Sequence, residues 1–216
     1  MHAHLKTART ALLAALVLLT LAGCVTTDGS SLVAGIDAGS APYAAVESEK
    51  FRVEAVDVSQ IDARFLRQVV DYRTMEPPGT IVVDPQNRFL YLVEKPGKAV
   101  RYGVGVGRAG LEFTGTASIQ LKKEWPHWTP TTAMIAREPK RYAKWAAGMD
   151  GGEGNPLGAR ALYLFKGGQD TRYRIHGTTE PASIGKAVSS GCIRMMNQDI
   201  IDLYGRVPLH ARVVVR

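Results

Sequence analysis

The amino-acid sequence predicts a mainly β fold interrupted by a few short helices. Its apolar stretches are short, rich in Val, Ile, Tyr and Phe, and bounded by Gly or Pro, a pattern typical of strands. Three segments instead combine the start and stop signals of helices. With 216 residues and 45% apolar content, the chain is long enough for one domain with its own core.

The first 24 residues have the layout of a bacterial export signal. Lys6 and Arg9 form a basic start, Ala11 to Leu21 is apolar, and Cys24 closes the segment. This end resembles the lipobox of bacterial lipoproteins, which implies that Cys24 becomes the lipidated first residue of the mature chain. The alternative is an ordinary signal peptide that happens to end near a cysteine. The apolar stretch is shorter than the about 20 residues that a membrane span needs.

An exported, lipid-anchored chain is expected in the periplasm. Val25, rather than Asp, follows Cys24, which resembles outer-membrane sorting and favours that membrane. Removing residues 1–24 takes away two of the 27 basic residues and none of the 20 acidic ones, so the net charge falls from +7 to +5. So small an excess is typical of a solvated surface, and we predict no nucleic-acid partner. We also expect no disulfide between Cys24 and Cys192.

The segment after the export signal predicts a tether and a short extension. Residues 25–47 are rich in Gly, Ala, Ser and Thr without a sustained period, which favours a flexible tether. Residues 48–76 form an N-terminal extension in which Ser59 to Val70 is predicted to be a helix. Ser59 and Asp62 match a capping box, and apolar residues fall on one stripe.

The remaining residues alternate between strands and turns. Thr80 to Val83 and Phe89 to Val93 flank Asp84 to Asn87, which predicts a β-hairpin. Helices are predicted from Glu138 to Ala147, with Pro139 in the first turn and Gly148 as a stop, and from Asn197 to Tyr204, capped by Asn197 and ended by Gly205. The other predicted strands are Ala99 to Val106, Thr116 to Leu121, Arg160 to Phe165, Arg172 to His176 and Val213 to Val215.

The segment from His176 to Arg194 carries the clearest chemical signal. It places an imidazole and a thiol, at His176 and Cys192, 16 residues apart in a Gly-rich frame. A thiol with its usual pKa of about 8.5 is mostly protonated at neutral pH, so a nucleophilic cysteine needs a base or a positive charge nearby. His176 is able to supply both.

These residues resemble the L,D-transpeptidase (YkuD/ErfK) catalytic domain. The signature of that family is a His-Gly pair, a connecting stretch, and Ser-x-Gly-Cys followed by Arg or Asn, and here it spans His176 to Arg194. The resemblance includes Pro77 to Asp84 and Asn155 to Gly158 and covers residues 77 to 216. One departure is Ser190, which stands where many members have a second His. The resemblance implies a β-sandwich, and implies that the Gly177 carbonyl orients the His176 ring.

Further site residues follow from their positions around this motif. The amides of the Ser189-Ser190-Gly191 turn are candidates for an oxyanion hole, above all that of Gly191. We expect Ser189 and Ser190 to contact substrate. Arg194 suits either a substrate carboxylate or a structural clamp on a neighbouring loop. Strand alternation places Arg172, Arg174 and His176 on one face, which makes Arg174 another candidate for substrate binding.

The resemblance also implies a reaction. Cys192 attacks the carbonyl between the third and fourth residues of a peptidoglycan tetrapeptide stem, releases the terminal D-Ala and forms a thioester, while His176 moves the protons. A stem amine as acceptor gives a 3→3 crosslink, a lipoprotein Lys gives a wall anchor, and water gives carboxypeptidase activity. The sequence leaves the acceptor open.

Two other classes of protein were weighed. A cysteine peptidase of the NlpC/P60 kind has its Cys before its His, the reverse of the order here. A non-catalytic wall-binding lipoprotein has no need of His176, Gly177 and Cys192 together. Both are therefore less favoured than a cysteine-dependent transpeptidase, and they are kept as the alternatives.

Weaker patterns have ordinary interpretations. Gly105 to Gly110 matches G-x-G-x-x-G, but turn-like and strand-like residues follow it instead of the helix that a dinucleotide site requires. Trp125 and Trp128 fit either a substrate groove or internal packing, and we favour packing. The histidines have no metal-ligand spacing with one another or with Cys192, so we predict no metal and no cofactor.

Overall fold

A computed structural model describes residues 41–95, 97–108 and 113–216, and it confirms a mainly β fold with a few short helices. The strands are β1 (Gln68–Asp71), β2 (Ile81–Asp84), β3 (Phe89–Glu94), β4 (Lys98–Gly103), β5 (Val106–Gly107), β6 (Gly115–Glu124), β7 (Arg160–Lys166), β8 (Gln169–His176), β9 (Ala187–Ser189), β10 (Ile193–Arg194) and β11 (Arg212–Val215). The α-helices are α1 (Thr132–Arg137), α2 (Pro139–Tyr142) and α3 (Asn197–Arg206). Single 3-10 turns lie at Ala41–Tyr43, Val58–Gln60, Ala63–Phe65, Ala143–Trp145 and Pro181–Ser183.

Most of the described strands form one curved sheet. Its order is β1-β4-β3-β2-β11-β6-β7-β8-β10, while β5 and β9 form a small separate pair. The pairs β2–β11 and β8–β10 are parallel, and the others within the large sheet are antiparallel. A bridge between Gly105 and Arg194 links the chain after β4 to the far edge strand, β10. The sheet is thereby folded over itself.

One hydrophobic core lies inside this curved sheet. Leu90 on β3, Ile119 on β6 and Leu162 on β7 are fully buried in a single cluster. Ile200 and Leu203 of α3 join the same cluster, so the helix closes the core. Burying side chains of this size stabilises the fold by about 1.5–3 kcal/mol each. The core fixes the strands β7 and β8, which carry part of the site described below.

The predicted hairpin and the predicted strands are confirmed. β2 and β3 pair antiparallel around the turn, where Asp84 Oδ1 accepts a hydrogen bond from the Asn87 amide over 3.0 Å. The carboxylate thus replaces a backbone acceptor, as short polar turn residues do. The stretch from Ala99 to Val106 is divided, because β4 ends at Gly103 and β5 begins at Val106.

The predicted helix from Ser59 to Val70 is wrong. The segment contains two 3-10 turns, Val58–Gln60 and Ala63–Phe65, and then joins the sheet as β1. Asp57 accepts from the Ser59 amide and Asp62 from the Arg64 amide, so each carboxylate caps a turn of its own instead of opening one helix. Pairing of β1 with β4 then takes the remaining residues.

The other two helix predictions are correct in place but not in detail. Pro139 begins α2 as predicted, but the α-helix ends at Tyr142 and continues as the 3-10 turn Ala143–Trp145. Asn197 does not cap α3, because the cap position is Met196 and the Asn197 Oδ1 atom accepts from the Ala159 amide instead, over 3.0 Å. Gly205 does not end α3, which runs to Arg206.

Residues 41–67 pack against the sheet and α3. Tyr43, inside the segment predicted to be a tether, is 1% exposed, and its hydroxyl donates to Asp199 over 3.3 Å. Glu49 forms two hydrogen bonds with Arg160, of 2.8 and 2.7 Å. The end of the predicted tether therefore belongs to the folded unit. The predicted export signal, Cys24 and the rest of the tether lie outside the described residues.

The G-x-G-x-x-G pattern is explained by the fold over its described residues. Gly105 and Gly107 lie in a bridge and in β5, so this part of the G-x-G-x-x-G pattern is extended and packs against the turn before Cys192. In the described part of the chain, no helix combines the length and apolar character needed to cross a bilayer.

Candidate active site

His176 is the last residue of β8. It pairs with Ala161 of β7 and is 5% exposed. Its Nδ1 atom lies 2.6 Å from the Gly177 carbonyl oxygen, the contact expected from the sequence. Because a carbonyl only accepts, Nδ1 carries the proton and Nε2 is left as the basic nitrogen.

Gly177 tolerates no side chain at this position. A Cβ atom there would lie 2.1 Å from Asn197 Oδ1 and 3.2 Å from the Cα of Gly158. The Gly177 amide donates to the Arg160 carbonyl over 3.1 Å, which ties the residue to β7. The residue whose carbonyl holds the imidazole is therefore fixed by a hydrogen bond of its amide and by close packing around its Cα.

Cys192 stands immediately before β10, beside the same strand. β10 pairs with β8 in parallel, with Arg194 opposite His176 and Ile193 opposite Ile175, which brings Cys192 to the level of Arg174. Cys192 is a free thiol, and its Sγ atom lies 3.9 Å from the Arg172 carbonyl oxygen.

An irregularity in β8 makes this contact with the thiol. The register between β7 and β8 shifts, and Arg172 has a φ of 67°, a backbone angle that residues other than Gly and Asn seldom adopt. The predicted alternation of Arg172, Arg174 and His176 on one face is therefore broken at Arg172. The bulge turns the Arg172 carbonyl toward the thiol.

His176 and Cys192 line one cavity of about 300 Å³. Ser189, Ser190 and Arg194 also line it, so the structure brings these five predicted residues together. The opposite wall is apolar and comes from the segment between β6 and β7. Its members are Trp128, Met134, Tyr142, Trp145, Met149, Pro156 and Leu157. Trp128 thus faces the cavity although it is 7% exposed, whereas Trp125 packs on Phe51 and donates to Glu49.

The turn before Cys192 is tied by one serine. Ser189 Oγ donates to the Cys192 carbonyl over 2.6 Å and accepts from the Gly191 amide over 3.1 Å. Gly191 has a φ of 127°, and a Cβ on Gly107 would lie 2.8 Å from its Cα, so both glycines are needed for this packing. The expected oxyanion donor, the Gly191 amide, is already used inside the turn.

Arg174, a predicted substrate-binding residue, is held by side chains of its own strand and of the neighbouring one. Its guanidinium forms a two-pronged pair with Asp170, at 2.7 and 2.8 Å, and lies 4.1 Å from the ring centre of Tyr163. It is absent from the described cavity lining. Its positive charge and its backbone amide nevertheless lower the pKa of Cys192, so its influence on the site is electrostatic.

Arg194 holds a neighbouring loop, one of the two roles that the sequence left open, and its binding of a substrate carboxylate stays a prediction. It lines the cavity and donates to Glu180 over 2.8 Å. Arg141 of α2 reaches the other oxygen of Glu180 over 3.1 Å. Sequence reasoning assigned Glu180 no chemical role and missed Arg141, because the two are 39 positions apart and only the folded chain brings them together.

Burial keeps the two reactive groups neutral. Burial lowers the pKa of His176 from 6.5 to about 4; the Gly177 hydrogen bond opposes this shift, and the charges of Arg194 and Arg174 add to it. Burial of the thiol raises the pKa of Cys192, although part of the residue faces the cavity, and Arg174 only partly offsets the effect. The resting pair is a thiol and an imidazole, and the imidazole acts as a base rather than as a standing positive charge.

Asn155 builds the wall opposite the nucleophile. It is fully buried, and its amide donates to the carbonyls of Pro126 and Asp150 over 2.9 and 3.0 Å. Its Oδ1 atom accepts from the Leu157 amide over 2.8 Å. The Asn155 to Gly158 motif is thus a hydrogen-bonded corner that presents Pro156 and Leu157 to the cavity.

The described residues contain no group of three or more His, Cys, Asp or Glu side chains arranged to hold a metal ion. The cavity is lined by a thiol, an imidazole, two arginines and a carboxylate, from Cys192, His176, Arg141, Arg194 and Glu180. Such a set suits acyl transfer through a cysteine.

A model of the YkuD L,D-transpeptidase catalytic domain matches residues 78–215. The chain belongs to the L,D-transpeptidase family. Probable L,D-transpeptidase YbiS of Escherichia coli (strain K12) is 32% identical over 137 residues, which cover 62% of this chain and 43% of that protein. Probable L,D-transpeptidase ErfK/SrfK of the same strain is 35% identical over 138 residues, with the same coverage. The chain spans less than half the length of these curated relatives.

A solved structure from Brucella melitensis has the same fold. It is 54% identical, covers 74% of this chain and 99% of its own, and superposes with a TM-score of 0.50. That protein is named a probable carnitine operon oxidoreductase caia. That name applies to the Brucella melitensis protein alone.

Proposed function

We propose that this chain transfers peptidoglycan tetrapeptide stems to an acceptor through a thioester on Cys192. One observation carries the proposal: His176, fixed by the Gly177 carbonyl at 2.6 Å, and Cys192 line a single cavity. Membership of the L,D-transpeptidase family supports the reaction class. The stem peptide, the thioester and the acceptor are parts of the proposal.

The first half of the reaction forms the thioester. The Cys192 proton passes to Nε2 of His176 as Sγ attacks the carbonyl between stem residues three and four. The imidazolium then protonates the departing nitrogen of the terminal D-Ala, and the carbon–nitrogen bond breaks. In the second half, His176 removes a proton from the acceptor as the acceptor attacks the thioester, the carbon–sulfur bond breaks, and the imidazolium returns the proton to the Cys192 thiolate.

A backbone donor is needed for the oxyanion that forms between these steps. The Gly191 amide is occupied by Ser189, so we assign the role to the Cys192 amide, for which no hydrogen bond is found among the described residues. Loss of one such donor costs about 3 kcal/mol of transition-state stabilisation in other enzymes.

The acceptor and the cellular place complete the proposal. An amine from a second stem gives a 3→3 crosslink, a lipoprotein Lys gives a wall anchor, and water gives carboxypeptidase activity. We propose that Cys24 carries a lipid and holds the enzyme at the periplasmic face of a membrane, with the outer membrane favoured. The predicted export signal supports this location.

Intact-mass spectrometry tests the proposed reaction. The full-length chain, purified in detergent, is incubated with a tetrapeptide-stem muropeptide beside the variant Cys192→Ala. We expect an acyl adduct and free D-Ala with the wild type only, and the masses of later products separate crosslinking from hydrolysis. Absence of both adduct and D-Ala would favour a non-catalytic wall-binding protein.

A further inference from the structure

A third arginine forms a hydrogen bond with a residue that lines the cavity. Arg137, the last residue of α1, donates through Nη2 to Ser190 Oγ over 2.8 Å. Ser190 is exposed, lines the cavity and stands two residues before the nucleophile. Arg137 therefore places a positive charge at the rim of the cavity, next to the turn that carries Cys192.

The charge of Arg137 has no carboxylate partner among the described residues. Arg194 and Arg141 share Glu180, at 2.8 and 3.1 Å, and Arg141 also has Glu138 at 3.7 Å. Arg137 has only the neutral hydroxyl of Ser190. An exposed guanidinium that is bonded to one hydroxyl readily exchanges this contact for an anion, because it binds a carboxylate through two parallel hydrogen bonds.

The proposed reaction brings a carboxylate to this place. Cys192 attacks the peptide bond before the last stem residue, so the free carboxylate of that residue is separated from the attacked carbon by only a nitrogen and a Cα. Standard bond lengths place the two carbons within about 4 Å of each other. A carboxylate so near the reacting carbon falls close to the turn of Cys192, where Arg137 is held.

We infer that Arg137 is a substrate-binding residue that recognises the C-terminal carboxylate of the departing stem residue. On this assignment, which rests on the proposed function, the enzyme selects stems that end one residue after the cleaved bond. A longer stem has an amide at that place and offers Arg137 no negative charge. Selection then comes from charge recognition at the rim, while the apolar wall accepts the rest of the stem.

The test compares two donors that differ in one group. The full-length enzyme is given a tetrapeptide stem ending in D-Ala or the same stem ending in D-Ala amide, and the rates of D-Ala and D-Ala amide release are measured by mass spectrometry. Wild type, Arg137→Gln and the control Lys140→Gln are compared. Lys140 has the same charge and is exposed, and the Ser190 hydroxyl is bonded by Arg137 and not by Lys140. A third donor carries an amide on the side-chain carboxylate of its third residue.

We expect the wild type and Lys140→Gln to prefer the acid donor by about 10- to 100-fold in kcat/KM, the range for hydrogen bonds to a charged group. Arg137→Gln should lose that preference, because its rate falls far more on the acid donor than on the amide donor. A general folding defect would lower both rates together, so the amide donor is an internal control.

Three results would overturn the assignment. The first is an equal loss on both donors in Arg137→Gln, which would make the residue a support for the Ser190 turn. The second is a wild type that does not distinguish acid from amide. The third is an effect of Arg137→Gln confined to the third-residue carboxylate. If the wild type gives neither turnover nor a Cys192 adduct with any donor, the proposed function itself fails, and the assignment fails with it.

Discussion

Cys192 and His176 differ from a thiolate–imidazolium pair because both are desolvated. Burial lowers the pKa of His176 to about 4 and raises that of Cys192, and each shift favours the neutral form. The Gly177 carbonyl opposes the shift of the imidazole but does not overcome it. In the proposed mechanism, the thiol is activated only when substrate is attacked, and the neutral resting thiol is protected from reagents that need a standing thiolate.

The rate at which iodoacetamide alkylates Cys192 should reveal this state. We expect the rate to be low near neutral pH and to rise with increasing pH up to and beyond about 8.5, the usual pKa of a thiol. Intact-mass spectrometry over a series of pH values measures it, with Cys192→Ala as the blank. A rate that is already at its plateau near pH 6 would indicate an ion pair instead.

Gly177→Ala should damage both stability and catalysis. The new Cβ would meet Asn197 Oδ1 at 2.1 Å, so the loop must shift and the carbonyl leaves Nδ1 of His176. We expect a loss of about 1–3 kcal/mol in the free energy of unfolding, as for other overpacked sites, and slower acylation. Urea denaturation and adduct formation measure these effects. Gly152→Ala is the control, because a Cβ there meets nothing within 4 Å, and an equal loss in both variants would contradict the argument.

The N-terminal extension supports the strand that ends at His176. Glu49 bonds to Arg160 at 2.8 and 2.7 Å, and Arg160 also accepts the Gly177 amide through its carbonyl. The side chains of Glu49 and Arg160 are 13% and 8% exposed, so this is a largely buried ion pair. The extension is thus linked to the His176 imidazole through Arg160 and Gly177.

Glu49→Gln should destabilise the protein by about 3 kcal/mol, because it removes the close, largely buried carboxylate of the Arg160 guanidinium and leaves only the exposed Glu124, at 3.8 Å. Urea denaturation is the measurement. Glu47→Gln is the matched control, since Glu47 forms an exposed pair with Arg52, and such pairs contribute less than about 1 kcal/mol. Similar losses in the two variants would show that the extension is held by its apolar contacts alone.

The elements differ in how far the sequence could predict them. The hairpin at Asp84 and the strands β6 and β7 follow from local alternation and turn chemistry. The predicted helix from Ser59 failed because its capping residues serve single turns and its end pairs with β4, a partner that local sequence does not reveal. The φ of 67° at Arg172 had no signal either, since neither Gly nor Asn stands there.

The site residues likewise divide into those that local sequence predicts and those that it does not. His176, Gly177 and Cys192 could be found because they lie in one motif. Arg137, Arg141 and Trp145 reach the cavity or its lining from a segment before β7, and no local spacing relates them to the motif. Contacts between residues that are far apart in the sequence could not be predicted from a local motif, and only the folded structure shows them.

At the scale of the whole molecule, two buried groups should give opposite pH dependences of stability. The folded-state pKa of His176 is lowered to about 4, so the unfolded chain binds more protons between there and 6.5, and stability is lost as the pH falls. Burial raises the pKa of Asp199 to about 7, although Arg67 at 3.8 Å opposes this, so the folded chain holds an extra proton and stability is lost as the pH rises.

The free energy of unfolding of the wild type should therefore change little between about pH 5 and about pH 6.5, because the two slopes cancel. In Asp199→Asn the His176 contribution remains, and we expect stability to rise by up to about 1.4 kcal/mol per pH unit over that range. In His176→Gln the slope should have the opposite sign. Urea denaturation at a series of pH values measures all three, and parallel curves would contradict both assigned shifts.

The parallel pairing of β8 and β10 makes the register of the two strands essential and leaves the length of the chain between them free to vary. Parallel neighbours require a crossover of about ten residues or more, and the chain from His176 to Cys192 supplies it. Once Arg194 lies opposite His176, the distance between the reactive groups depends on strand register and not on the length of this connection. Natural variants with longer or shorter crossovers should thus retain the same chemistry, and a loop of another length inserted near the exposed Glu180 is a place to redesign donor choice without moving the nucleophile.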